Sequence, residues 1–125
     1  MKKNNTILCP SLIVSDGYSK TFGQRHNMST HDLQKSNPHQ LGTLLDVKHL
    51  ADTLFTKRLK DFSNSEDAVA RDQKALSISM DNLKILTDAG VTIVTGTDAG
   101  NIGTLHASSY LAELKAMQEL SLIHI

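Results

Sequence analysis

Hydrophobic positions near the start of the chain predict a buried strand. Residues 7–14 (Ile-Leu-Cys-Pro-Ser-Leu-Ile-Val) form a nearly continuous apolar run that ends at Asp16-Gly17, as in a strand of a parallel sheet covered on both faces. Pro10 has no N–H to donate to a sheet, so the same run also fits a strand edge, a bulge or a late start. Residues 18–38 are polar and predict an irregular segment with one or two short helices.

Helical spacing dominates the middle of the chain. Apolar residues in 40–62 recur at this spacing and predict helical segments with one break. Ser63-Asn64-Ser65-Glu66 has the spacing of a capping box, and a long helix is predicted from there to Gly90, which suits the left-handed conformation that ends a helix. The predicted apolar stripe of this helix consists of Val69, Leu76, Met80, Leu83 and Leu86.

A short β-branched segment and a glycine-rich turn follow this helix. Residues 91–95 (Val-Thr-Ile-Val-Thr) predict a buried strand that runs parallel to residues 7–14. The turn extends from Gly96 to Gly103, and Thr104 is predicted to cap a last helix. This order of helix, strand, turn and helix is typical of α/β proteins.

Composition and charge exclude several classes of function. With 39% hydrophobic and 21% charged residues, the 125-residue chain fits one ordinary globular domain. Thirteen basic residues balance thirteen acidic ones without a basic cluster, so neither nucleic acid nor a membrane surface is an expected partner.

No apolar run approaches the ~20 residues of a transmembrane helix. No signal-peptide cleavage site follows the first apolar run, so the cytoplasm is the default location. Cys9 has no disulfide partner and is predicted to be a buried small hydrophobe.

The residues best suited to chemistry lie in the glycine-rich turn. Asp98 follows the carboxyl end of the second predicted strand, where barrel enzymes carry their catalytic residues. A carboxylate there can bind a metal ion and accept a proton from metal-bound water, although aspartate is also a common turn residue without a chemical role. His106 is expected in the first turn of the next helix. It is a candidate for contacting the substrate or the metal ligands, or else a solvated histidine on the helix surface.

Other candidate groups have weaker patterns. The glycines of residues 96–103 suggest a phosphate-binding loop, but their spacing is not G-x-G-x-x-G and Asp98 would repel a phosphate. Glu113 is expected to be structural or solvated. The remaining histidines form no metal-binding motif and are expected to be solvated: His26, His31, His39, His49 and His124.

The segment 82–101 resembles the last helix and strand of the amidohydrolases, in the branch that contains imidazolonepropionase and Xaa-Pro dipeptidase. In that branch a helix ending in Ala-Gly-Val leads into the eighth strand and a Gly-Thr-Asp turn, as Ala89-Gly90-Val91 and Gly96-Thr97-Asp98 do here. Three other segments also resemble that branch: Gly103-Thr104-Leu105-His106, Glu113-Leu114 and residues 7–12, which are similar to its seventh strand.

This resemblance implies a fold, an activity and a role for Asp98. The fold class would be α/β, with residues 1–125 as the C-terminal portion of a (β/α)8 TIM-barrel catalytic domain, covering about its last two strand-helix units. The activity would be hydrolysis of an amide-type C–N bond in a small-molecule or peptide-like substrate, by water activated by a divalent metal ion, expected to be Zn²⁺. Asp98 would bind the metal and pass the proton of the attacking water to the leaving amine.

The chain lacks the other metal ligands of that family. It has no H-x-H motif, and nothing in it corresponds to the family's ligands on the fourth, fifth and sixth strands. A catalytic zinc site has about three protein ligands, and a (β/α)8 barrel takes roughly 250 residues. The chain alone is therefore expected to be inactive. The alternative is a non-catalytic α/β chain whose turn from Gly96 to Gly103 binds a phosphate-bearing ligand or is purely structural.

Overall fold

The computed structural model describes residues 2–123 and is mostly helical, with 62% of residues in helices and 3% in strands. His124 lies outside the described residues. Short 3-10 helices span Lys2–Asn4 and Val47–His49. The other elements, in chain order, are β1 (Ile7–Leu8), α1 (Val14–Phe22), α2 (Thr30–Lys35), α3 (Pro38–Asp46), α4 (Leu54–Asn64), α5 (Glu66–Asp88), β2 (Thr92–Ile93) and α6 (Ser108–Glu119).

The fold class predicted from the sequence, an α/β fragment of a (β/α)8 barrel, is wrong. Within residues 2–123 the sheet consists of β1 and β2, which are two residues long each, and helices form most of the rest. The predicted parallel direction of the two strands is confirmed, because Ile7 pairs with Thr92 and Leu8 with Ile93. A pair this short, which packs inward through Leu8 and Ile93 and leaves Ile7 exposed, does not form a section of a barrel wall.

The first apolar run leaves the sheet after two residues because its backbone turns away. Pro10 has no N–H to donate to β2, and Ser11 adopts a left-handed φ of 47°, which ends an extended strand. The rest of the run enters α1, which begins at Val14. An apolar run alone does not distinguish a strand from the approach to a buried helix.

Helix α5 confirms the long helix predicted before the second strand. Its N-cap is Ser65, whose side chain accepts a hydrogen bond from a backbone N–H of the first turn, whereas Ser63 belongs to the end of α4. Gly90 follows the helix with a φ of 77°, a conformation that glycine adopts without steric cost. Leu83 of the predicted stripe is buried, but Leu76 is exposed, so only part of the stripe packs inward.

The core is small and lies where the strand pair meets α5 and α6. Leu12, Leu83 and Met117 form its centre, and Leu8 and Ile93 pack against them.

No helix within residues 2–123 is long and apolar enough to cross a membrane. Large apolar side chains remain exposed on α4 and α5: Leu54, Phe55, Phe62, Ile78 and Ile85.

Candidate functional site

The turn that carries Asp98 begins at the carboxyl end of the parallel strand pair. Because β1 and β2 run in the same direction, their carboxyl ends lie on one side. There Cys9 contacts Gly96 so closely that a Cβ on Gly96 would overlap the Cys9 sulfur. Cys9 is exposed, so the prediction that it is buried is wrong. The absence of a side chain on Gly96 thus allows the two strand ends to approach each other.

Two residues of the same turn hold Asp98. Its φ of 49° is left-handed, a conformation that aspartate and asparagine adopt more often than most other residues with a Cβ. Its carbonyl oxygen accepts hydrogen bonds from the Asn101 N–H at 3.1 Å and the Thr104 hydroxyl at 2.9 Å. Its carboxylate Oδ2 accepts one from Asn101 Nδ2 at 2.7 Å. The Asp98 side chain is exposed, so its carboxylate is oriented yet open to solvent.

Tyr18 of α1 fixes the amide that contacts Asp98. The Tyr18 hydroxyl donates to Asn101 Oδ1 at 2.6 Å, and the Ile102 N–H donates to the same oxygen at 2.8 Å. Because Oδ1 accepts both, Nδ2 must face Asp98 as the donor. Neither Tyr18 nor Asn101 was predicted from the sequence. The one signal for Asn101 is its position three residues after Asp98, and no pattern marks Tyr18.

Two glycines pack the turn against α1. A Cβ on Gly103, whose φ is 80°, would overlap the backbone of Gly17. A Cβ on Gly17 would lie 3.0 Å from the carbonyl oxygen of Ile102. This backbone-to-backbone contact sets the distance between the turn and α1.

His106 lies just before α6 and not in its first turn, because α6 begins at Ser108. Its exposed ring lies beside Gly100, with Nε2 3.4 Å from where a Cβ on Gly100 would be. Thr104 does not cap α6 as predicted, since its hydroxyl bonds the Asp98 carbonyl. Ala107 has no capping side chain and adopts a strained φ of 67°. The structure therefore brings His106 next to the turn that carries Asp98.

Glu113 has a structural role, one of the two options expected for it. It is fully buried, with 0% of its surface exposed. Its carboxylate oxygens accept hydrogen bonds from the N–H groups of Leu12 at 3.0 Å and Ile13 at 3.1 Å. Ile13 is the N-cap residue of α1 and makes no capping bond of its own, so Glu113 substitutes for a local cap. Burial raises the pKa of Glu113, and the two hydrogen bonds from the backbone oppose that rise.

His26 is partly buried and bonded to a neighbouring side chain, not simply solvated as expected. Its Nε2 lies 2.6 Å from the Thr21 hydroxyl, which donates its one proton to the carbonyl oxygen of Gly17. His26 Nε2 must therefore carry a proton and donate it to Thr21. Burial, followed by the positive charge of Lys20, lowers the pKa of His26.

The described residues do not by themselves fit a resident zinc ion. Within residues 2–123 no three His, Cys, Asp or Glu side chains come together as a metal-binding group. Asp98 is thus a single carboxylate, and a catalytic zinc site has about three protein ligands.

The second half of the glycine-rich turn uses backbone donors in its own hydrogen bonds. Hydrogen bonds within the turn or to its neighbours occupy five N–H groups, those of Gly100, Asn101, Ile102, Thr104 and Leu105. A phosphate loop needs such groups to be free. The bonded N–H groups are therefore not available to a phosphate, and the negative charge of Asp98 would repel one.

No protein-family model matches the chain, and no curated protein or solved structure matches it either. The likeness to amidohydrolases accordingly depends on the motifs around Asp98.

Proposed function

We propose that this chain belongs to a metal-dependent hydrolase of the amidohydrolase type, which cleaves an amide-type C–N bond in a small-molecule or peptide-like substrate. Asp98 supplies one carboxylate of the active site. The observation that carries the proposal is the position of Asp98. Its carboxylate is exposed, is oriented by Asn101, and follows β2 at the carboxyl end of two parallel strands. The motif Gly96-Thr97-Asp98 has the same place after its strand in the amidohydrolases it resembles.

The remaining metal ligands of the proposed site would come from residues outside the range 2–123. One carboxylate does not hold a zinc ion, and residues 2–123 contain no further ligand cluster. A metal bound by the complete site would lower the pKa of the attacking water to about 7. We therefore propose that the 125-residue chain is inactive in isolation.

Asp98 is suited to carry the proton of the reaction. A carboxylate can take a proton from the attacking water and return it to the leaving amine, and an amide side chain can do neither. Asn101 donates to one oxygen of Asp98 and so fixes the plane of the carboxylate. His106, beside Gly100, is the candidate for contacting the substrate or the metal ligands.

The alternative, a non-catalytic chain whose turn binds a phosphate-bearing ligand, has less support. The N–H groups of Gly100, Asn101 and Ile102 are occupied, and the negative charge of Asp98 within the turn would repel a phosphate.

Turnover in a longer protein tests the proposal. The reading frame would be extended into the neighbouring coding DNA until it includes further metal ligands, and kcat for amide hydrolysis would be measured at matched metal occupancy. Asp98→Asn should keep the fold, checked by circular dichroism, and lose roughly 10²-fold or more of kcat. Asp88→Asn, an exposed aspartate at the end of α5, should be unaffected. A fully active Asp98→Asn enzyme, or an extended frame without further ligands, would contradict the proposal.

A further inference from the structure

A cleft of about 300 Å³ lies between α3 and the glycine-rich turn. Gln40, Thr43 and Leu44 of α3 form one wall, and residues 100–105 form the opposite wall. A cavity of ~150 Å³ holds one benzene molecule. The cleft therefore has room for a ligand of the size of a five- or six-membered ring with a substituent.

No side chain that lines this cleft carries a formal charge. An ion that entered would lose hydration without gaining an opposite charge, which is strongly unfavourable. The cleft therefore suits an uncharged ligand and disfavours phosphates, carboxylates and amines.

Several hydrogen-bond donors of the cleft are occupied, whereas acceptors remain. The hydroxyl of Thr43 donates to the carbonyl oxygen of His39 at 3.0 Å, and that of Thr104 donates to the Asp98 carbonyl. The occupied N–H groups of the turn line the same cleft. Hydroxyl oxygens keep lone pairs after donating their proton. A ligand that donates a hydrogen bond therefore complements these acceptors.

Gln40 provides the most specific acceptor. Its Oε1 is screened from solvent and has no hydrogen-bond partner among residues 2–123. Buried polar atoms without partners are rare in folded proteins, and an absent ligand is one explanation for them. The terminal torsion of glutamine has a broad energy profile, so Oε1 can turn toward a donor in the cleft with little strain.

We propose that this cleft binds a small uncharged ligand of ring size and that Gln40 Oε1 accepts a hydrogen bond from an N–H of that ligand. The site is distinct from the carboxylate of Asp98, which does not line the cleft. Binding therefore does not depend on the proposed hydrolase function, and either proposal can fail without the other.

Two ring-shaped probes of matched size test this proposal on the full 125-residue chain. 2-Pyrrolidinone has an N–H, and γ-butyrolactone has an oxygen at the same place. Each would be titrated into the ¹⁵N-labelled chain and followed by amide chemical shifts. Shifts are expected at residues 40–47 and 100–105, with a dissociation constant in the millimolar range typical of very small ligands. The lactam should bind roughly 3- to 10-fold more tightly, as expected for one hydrogen bond.

Substitutions separate Gln40 from the rest of the cleft. Gln40→Met removes the acceptor at similar volume and should reduce the lactam preference to about 1-fold, since the hydrogen bond is lost. Gln34→Met is the matched control, because Gln34 is an exposed glutamine on α2 and should keep the preference.

Three results would overturn the proposal: equal affinity of the two probes for the unmodified chain, shifts confined to other residues, or a lactam preference that persists in Gln40→Met. Absence of binding by both probes would overturn it as well. If Gln40→Met does not fold, the comparison of the two probes on the unmodified chain still decides the outcome.

Discussion

Two carboxylates of this protein, Glu113 and Asp98, lie in opposite environments. Glu113 is fully buried in α6, and each of its oxygens accepts a hydrogen bond from the backbone before α1. Asp98 is exposed in the turn after β2, and its side chain is oriented by the amide of Asn101. The carboxylate of Glu113 thus holds two distant segments of the chain together, whereas the carboxylate of Asp98 faces solvent.

The difference separates groups that stabilise the fold from groups that are available for chemistry. Glu113 bonds backbone N–H groups that would otherwise be unsatisfied at the start of a helix. Asp98 is supported by its neighbours, since Tyr18 orients Asn101 and Gly103 packs the turn on α1. We therefore expect substitutions of Glu113 to change stability and substitutions of Asp98 to leave it unchanged.

The largest effect is expected for Glu113→Ala. It leaves the N–H groups of Leu12 and Ile13 without acceptors in the interior, at about 1–3 kcal/mol each, partly offset by relief of the desolvated charge. The free energy of unfolding should fall by roughly 3 kcal/mol, measured by urea denaturation. Glu119→Ala, at an exposed position of the same helix, should change it by less than about 0.5 kcal/mol. Equal effects of the two substitutions would remove the distinction drawn for Glu113.

Glycine substitutions test how firmly the turn is held. Gly103→Ala adds a Cβ that overlaps the Gly17 backbone, at a left-handed φ of 80°. We expect a loss of roughly 2–3 kcal/mol from overlap and backbone strain. Gly42→Ala is the matched control, since a Cβ there meets no atom within 4 Å and Gly42 lies inside α3. It should stabilise by about 0.5–1 kcal/mol. A thermal unfolding midpoint that is unchanged in Gly103→Ala would show that the turn is loosely attached.

The burial of Glu113 should also make the stability of the fold depend on pH. Burial raises the folded pKa of Glu113 above its ordinary value of 4.5, so the folded state binds a proton more tightly than the unfolded state. The free energy of unfolding of the unmodified chain, minus that of Glu113→Gln, should therefore decrease as pH rises from below 4.5 through the folded pKa. A tenfold difference in proton affinity between the folded and unfolded states corresponds to about 1.4 kcal/mol of stability. Urea denaturation of both proteins between about pH 4 and 7 measures this difference. A difference that is constant or grows with pH would contradict a raised pKa for Glu113.

Local signals in the sequence predicted some elements and not the architecture. The apolar spacing and the terminal Gly90 predicted α5, although its N-cap is Ser65 and not the predicted Ser63. The β-branched residues after it predicted β2 in parallel with β1. The barrel prediction was wrong because the apolar run at residues 7–14 does not continue as one strand. Ser11 turns the backbone, and Glu113, about 100 residues away, caps the helix that follows. A cap supplied by a distant residue leaves no local pattern to detect.

The candidate site was only partly predictable for the same reason. Asp98 was found because its position after the strand and its glycine neighbours are visible in the sequence. Tyr18, which orients Asn101, comes from α1, in a segment whose polarity predicted irregular structure. Gln40 carries no motif, and its significance depends on the absence of a donor near Oε1 among the described residues.

The stability of Asp98→Asn shows whether the charge of Asp98 is required for the fold. Asparagine tolerates the left-handed φ of 49°, and its side-chain oxygen can accept the hydrogen bond from Asn101. The free energy of unfolding from urea denaturation should therefore stay within about 0.5 kcal/mol of the unmodified chain, while Glu113→Ala loses roughly 3 kcal/mol under the same conditions. A loss in Asp98→Asn as large as that in Glu113→Ala would show that the Asp98 charge is a structural element of the turn.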